Sequence, residues 1–216
     1  LPLGRTISDM IITENNQSVF LTDYNNNSII KIDVNSEMTV SGEIEIGSHP
    51  VALDLNSDNS VIVIALEGES SIFTVETDQF QIIGEYSIPL MNVNDIVFFN
   101  DSIVVISSRT GPACISLNLN STEYVNQSVL NGELAMDQAN KILYVATSSS
   151  VKKYNWDGER FSQDPNISDP YGFVGDVHHF VFNATKNTIF ACISSSNDEE
   201  SNIQHIYSYS GSDMTF

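Results

Sequence analysis

Residues 18–33 read SVFLTDYNNNSIIKID, two short runs rich in β-branched and aromatic residues on either side of a polar turn. Such runs favour the pleated, half-buried surface of a strand. The turn, Tyr24-Asn25-Asn26-Asn27, suits Asn, whose side chain tolerates left-handed backbone and bonds its own main chain. The same plan returns as SVIVIALEGESSIFTVE from Ser60, SIVVISSRTGPACISLN from Ser102, KILYVATSSSVKKYN from Lys141 and TIFACISSSNDEESNIQHIYSY from Thr188. The starting points lie 42, 42, 39 and 47 residues apart.

That spacing matches the roughly 40–50 residues of a four-stranded propeller blade. In the first unit the strands are expected at residues 10–13, 19–23, 28–34 and 43–46. No sustained 3.6-residue apolar period supports helix. The expectation is one all-β domain over residues 1–216, a propeller of about five four-stranded antiparallel blades near residues 5–47, 48–90, 91–130, 131–172 and 173–216. Leu3-Gly4 lines up with Ile46-Gly47, and residues 212–216 line up with residues 36–40. Both ends are therefore expected inside a blade. Either the first residues complete the last blade of a five-bladed ring, or further blades make a ring of six to eight.

Three stretches carry a family resemblance: Val19-Phe20-Leu21-Thr22-Asp23, Asn27-Ser28-Ile29-Ile30-Lys31-Ile32-Asp33 and Ile44-Glu45-Ile46-Gly47-Ser48-His49-Pro50, with Leu143-Tyr144-Val145-Ala146-Thr147 repeating the first. In these the chain resembles the YVTN/NHL-like β-propellers, which often occur in surface-layer proteins. The resemblance implies a propeller on the cell surface. Trp156-Asp157 ends an expected third strand as in WD repeats, but occurs once and without a Gly-His partner.

Composition limits the partners. Eight Lys plus Arg against 28 Asp plus Glu give a net charge of −20, which repels phosphate backbones and anionic lipids and excludes nucleic acid. No window approaches the ~18 apolar residues of a membrane-spanning helix. The longest aliphatic run, Val61–Leu66, has the length of a buried strand. The opening Leu1-Pro2-Leu3-Gly4 reads as processed or cut from something longer. Cys114 and Cys192 fall on different blades and are expected as separate thiols.

Two sets of candidate sites emerge. Sequons stand at Asn16, Asn26, Asn100, Asn120, Asn126, Asn166 and Asn183, and the turns holding Asn16, Asn100 and Asn183 would expose an N-linked glycan. First strands line a propeller's channel, and the residues entering them converge on one mouth. Asp9, Asp95 and His178 align at that entry, with Glu133 and His179 one step further on and His49 and Asp176 slightly before. Asp9, Asp95, Glu133 and His178 form a candidate cation site, for Ca²⁺ through the carboxylates or a transition metal through imidazole. Asp198-Glu199-Glu200 reads as a solvated loop. Serine-nucleophile, phosphate-loop, dinucleotide and integrin-type calcium motifs are absent.

The expected function is a non-enzymatic, extracellular or cell-surface propeller that recruits protein partners or assembles with copies of itself through its edges. A metal-dependent, lactonase-like hydrolase at the channel mouth is the alternative.

Overall fold

The computed structural model describes residues 4–110, 114–147, 150–165, 176–194 and 204–210, and every regular element within them is a β-strand. The first sheet runs β1 (Ile7–Ile12), β2 (Ser18–Asp23), β3 (Ser28–Asp33) and β4 (Thr39–Glu45); the second β5 (Pro50–Leu55), β6 (Val61–Leu66), β7 (Ser71–Glu76) and β8 (Gln81–Ser87). The third holds β9 (Val93–Asn100), β10 (Ile103–Ser108), β11 (Cys114–Asn118) and β12 (Tyr124–Gln127), and the fourth β13 (Glu133–Asp137), β14 (Ile142–Ala146), β15 (Val151–Trp156) and β16 (Phe161–Gln163). Three described strands make the fifth: β17 (Asp176–Asn183), β18 (Thr188–Ser194) and β19 (Gln204–Ser210). Within each sheet, spatial order follows chain order and neighbours are antiparallel. The fourth strand expected for the last blade falls outside the described residues.

Turn chemistry explains the hairpins. Asn16, Asn27, Asn59 and Asn187 sit at φ of 57°, 56°, 61° and 47°, the left-handed region that Asn tolerates better than most side chains. Side-chain oxygens of the same turns accept backbone N–H groups, as Asn15 Oδ1 does from Gln17 and Asn100 Oδ1 from Ser102 and Ile103. Two strands exceed their expected bounds. β1 begins at Ile7 rather than residue 10, and β4 at Thr39 rather than residue 43, because pairing resumes beyond a one-residue irregularity in each ladder.

Packing between sheets explains the unbroken apolar run of β6, which a strand buried on both faces produces in place of alternation. Ile62, Ile64 and Leu66 face the first sheet, in a core with Phe20, Ile29 and Ile46. Val63 and Ala65 face the third, in a core with Ile96, Phe98, Val104 and Ile106. Further cores join the third sheet to the fourth through Val97, Phe99, Leu134 and Val145, and the fourth to the fifth through Tyr144, Ala146, Phe180 and Ile189. β1 packs on β5, β5 on β9, β9 on β13 and β13 on β17. The first strands thus lie innermost and the fourth strands, with mostly exposed residues in β4, β8 and β12, lie outermost.

Candidate functional site: the channel mouth

In four of the five sheets the ladder between first and second strands skips one residue at the same end. The skipped residues are Ser8, Val51, Asn94 and His178. A bulge of this kind puts two residues opposite one and re-aims their side chains. Here it turns residues of the first strands toward a common cavity of about 380 Å³, lined by Ser8, Asp9, Val51, Ala52, Asn94, Asp95, Glu133, Val177 and His179 from all five sheets. Tyr24, Glu67 and Arg109, each the first residue past a second strand, complete the wall.

The innermost strands are sheet edges, so their outward N–H groups need acceptors from elsewhere. Carboxylates supply them from one blade to the next. Asp9 Oδ2 accepts the Leu53 N–H at 3.0 Å, Asp54 Oδ2 that of Phe98 at 2.7 Å, and Asp95 Oδ2 that of Leu134 at 2.6 Å. Their other oxygens accept the N–H groups of Met10, Leu55 and Ile96. Ser8 and Ser107 add links, donating to the carbonyls of Pro50 at 2.6 Å and Gly132 at 2.7 Å.

Partial burial of these acids along the channel strips hydration from their charged forms and disfavours them. Burial pushes Asp54 up to about 7 and Glu133 up to about 7. It also holds Asp95 well above the usual carboxylate range, with the charges of Glu133 and Asp9 adding to the effect. Asp9 is raised for the same reason, although its two backbone hydrogen bonds and His179 pull the other way.

A polar belt runs round the rim. The Tyr24 ring stacks on His49, centroids 4.5 Å apart, and its hydroxyl donates to Glu67 Oε2 at 2.6 Å. Arg109 donates to Glu67 Oε1 at 3.3 Å and to Asn94 Oδ1 at 3.0 Å, and Asn94 Nδ2 donates to Glu133 Oε1 at 3.0 Å. His179 Nδ1 lies 4.0 Å from Asp9 Oδ1. The repeat alignment held a signal for Tyr24, Glu67 and Arg109, since all three follow the second strand of their units. Sequence reasoning attended only to the first strands and missed them.

The expected entry residues thus converge, with one change of level. Asp9 pairs with Thr22, Asp95 with Ser107, Glu133 with Ala146 and His179 with Cys192. His179, rather than His178, therefore stands level with Asp9 and Asp95, because His178 is the skipped residue of the bulge. The side chains of His178 and Asp176 lie outside those described, and His49 is a stacking partner beside the cavity. Of the expected cation ligands Asp9, Asp95, Glu133 and His178, the described side chains are those of Asp9, Asp95 and Glu133. The oxygens of Asp9 and Asp95 already accept backbone N–H groups, and among the described residues no three carboxylate, imidazole or thiol groups are placed to hold a metal ion.

Of the sequon residues, Asn16, Asn26, Asn100, Asn120 and Asn126 are exposed and Asn183 is half-buried. The side-chain nitrogen, to which a glycan would attach, donates to Asp23 at 2.8 Å in Asn26 and to Ser102 at 3.0 Å in Asn120. Asn166 and the Asp198-Glu199-Glu200 loop lie outside the described residues. Cys114 is a buried thiol on β11 and Cys192 a half-buried one on β18.

No protein-family model and no curated protein matches the sequence. Solved structures match the fold. Hydrazine synthase of Kuenenia stuttgartiensis superposes with a TM-score of 0.72 at 12% identity, over 94% of this chain and 62% of that one. The WD40 repeats of RRP9 superpose at 0.68 with 15% identity, over 98% of this chain and 62% of theirs. A protein of unknown function from Desulfotomaculum acetoxidans superposes at 0.65 with 14% identity, over the whole of this chain and 86% of its own. The chain is a β-propeller. It spans 62% of the length of two of these solved structures, and at such identities the likeness concerns fold alone. Among the described residues of this propeller no helix is long and apolar enough to cross a membrane.

Proposed function

We propose that this propeller is a non-enzymatic interaction module of the cell exterior that engages a protein partner at its channel mouth and carries N-linked glycans on several sequons. One observation carries the binding role. The Asp9 and Asp95 carboxylates at the mouth accept backbone N–H groups of neighbouring blades, while the rim of Tyr24, Glu67, Arg109 and Asn94 offers donors and acceptors on a surface built from several sheets. Such a mixed polar rim suits recognition of a partner.

Glu67 stands on the rim of the mouth, and the whole chain carries −20. A partner presenting a basic side chain gains both steering and rim contacts. The exposed sequon turns support an extracellular setting, as does the resemblance to surface-layer repeats.

Cross-linking mass spectrometry on native material tests the site. The expected links run from a partner's basic segment to residues around Tyr24, Glu67 and Arg109, and are lost in Glu67→Arg but kept in Tyr124→Ser, on an outer strand. Links confined to the outer strands would refute the mouth as the docking face. Intact mass analysis should show glycan on more than one sequon, and bare asparagines throughout would remove the extracellular assignment. Calorimetric titration with Ca²⁺ and Zn²⁺ should give no saturable heat; saturation at one equivalent would restore the metal-site reading.

A further inference from the structure

The connection between β12 and β13 carries a chemically labile pair. Asn131-Gly132 is the chain's single Asn-Gly sequence, and Asn131 is exposed. Space requires glycine at 132, because a Cβ there would run into the Ala146 carbonyl oxygen. The Gly132 carbonyl is itself tied down, accepting from Ser107 Oγ at 2.7 Å. By contrast, the Gly132 N–H and the Asn131 side chain have no hydrogen-bond partner among the described residues.

The Asn-Ser pairs, whose small second residue also lets a side chain approach the next nitrogen, are all held. They stand at Asn27, Asn35, Asn56, Asn59 and Asn120. Asn27 Oδ1 accepts the His49 N–H at 3.0 Å, Asn35 Oδ1 that of Glu37 at 2.9 Å, Asn56 Oδ1 that of Val61 at 2.9 Å and Asn59 Oδ1 that of Glu14 at 3.1 Å. Asn120 Nδ2 donates to Ser102 Oγ at 3.0 Å, and the N–H of Ser121 donates to Asn118 Oδ1 at 3.2 Å. A side chain bonded in this way must let go before its carbonyl carbon can meet the following nitrogen.

We propose that Asn131 is a site of spontaneous deamidation, through which the edge of the mouth gains a carboxylate as the protein ages. The Gly132 nitrogen attacks Cγ of Asn131 and closes a cyclic imide. The bond from Cγ to Nδ2 breaks, and that nitrogen leaves as ammonia with the proton given up by the Gly132 N–H. Water then opens the ring. Cleavage between the Gly132 nitrogen and Cγ gives aspartate, and cleavage between that nitrogen and the main-chain carbonyl carbon gives isoaspartate. Glycine favours the closure because it has no Cβ to block the approach and the widest backbone freedom. Position 131 stands two residues before Glu133, which lines the mouth, and the Gly132 carbonyl is pinned to the end of β10 that leads into Arg109. A carboxylate there adds to the attraction for the basic partner proposed above; that consequence rests on the docking reading, whereas the conversion itself does not.

Peptide mapping of the purified protein during incubation in mildly alkaline buffer tests the site. Asn131 should convert about tenfold faster than any of the five Asn-Ser pairs, because it has no hydrogen bond to break first. Its products should include both aspartate and isoaspartate, which the imide yields together. The gap should narrow in denaturant, where the Asn-Ser side chains are freed. An Asn131 that converts no faster than those pairs in the folded protein, or that yields aspartate alone, overturns the proposal. Cross-linking to the basic partner should be stronger in Asn131→Asp than in Asn131→Gln, and equal yields would overturn the carboxylate's share in binding. Loss of partner links at the mouth in every form, with Asn131 still converting, would count against the docking site alone.

Discussion

At the scale of single residues, the acids of the inner strands act as fasteners between blades. Asp95 accepts two backbone N–H groups in a buried setting, and removing such an acceptor leaves donors without partners in a dry site. Asp95→Ala should cost about 2–3 kcal/mol in denaturant unfolding, and Asp95→Asn, which keeps one acceptor oxygen, should cost less. Equal losses would show that the acceptor is not what matters.

The same groups set a pH dependence whose sign is fixed. Folding raises Asp54 and Glu133 from their ordinary values of 3.8 and 4.5 to about 7, mainly through burial. Between about pH 4 and 7 the folded chain holds protons that the unfolded chain has released, so this contribution is complete on the acid side and fades as pH rises through 7. Thermal midpoints should therefore fall by several degrees, about 4 °C or more, from pH 5.5 to 8. In Asp54→Asn that slope should flatten. A midpoint that rises with pH across this window would contradict the assignment.

At the scale of elements, apolar strand residues divide into buried and exposed positions. Phe98, fully buried between the second and third sheets, should cost about 3–5 kcal/mol on truncation to alanine. Met10→Ala, at an exposed position, should stay within about 0.5 kcal/mol of the parent. A close approach sets a second contrast. A Cβ on Gly132 would run into the carbonyl oxygen of Ala146, whereas one on Gly158 would meet nothing within 4 Å. Gly132→Ala should thus lower the thermal midpoint by several degrees, about 1–3 kcal/mol of overpacking. Gly158 has a φ of 114°, so its substitution tests backbone strain without a clash.

Across the whole molecule, the charge of −20 opposes compaction, and salt screens that repulsion. Raising NaCl from low to physiological strength should raise the midpoint at pH 8 more than at pH 5.5, where the channel acids are partly protonated. Equal shifts at both pH values would place the salt effect elsewhere.

The repeat, the strand order within each unit and the Asn-rich turns were legible in the sequence because they depend on interactions between residues close along the chain. A period of 39–47 residues also sufficed to bring Asp9, Asp95, Glu133 and the His178–His179 pair to one mouth, since equivalent positions in stacked blades must converge. Tertiary structure alone decided three things. A bulge placed His179, rather than His178, level with Asp9 and Asp95 in the ladder, because one skipped residue shifts the register. Asp9, Asp54 and Asp95 became acceptors for neighbouring blades, because the unpaired edge N–H groups of Leu53, Phe98 and Leu134 lie one repeat away. The exposure of Met10 and Val181 escaped the sequence for a related reason: an apolar residue reads the same whether or not a sheet covers it.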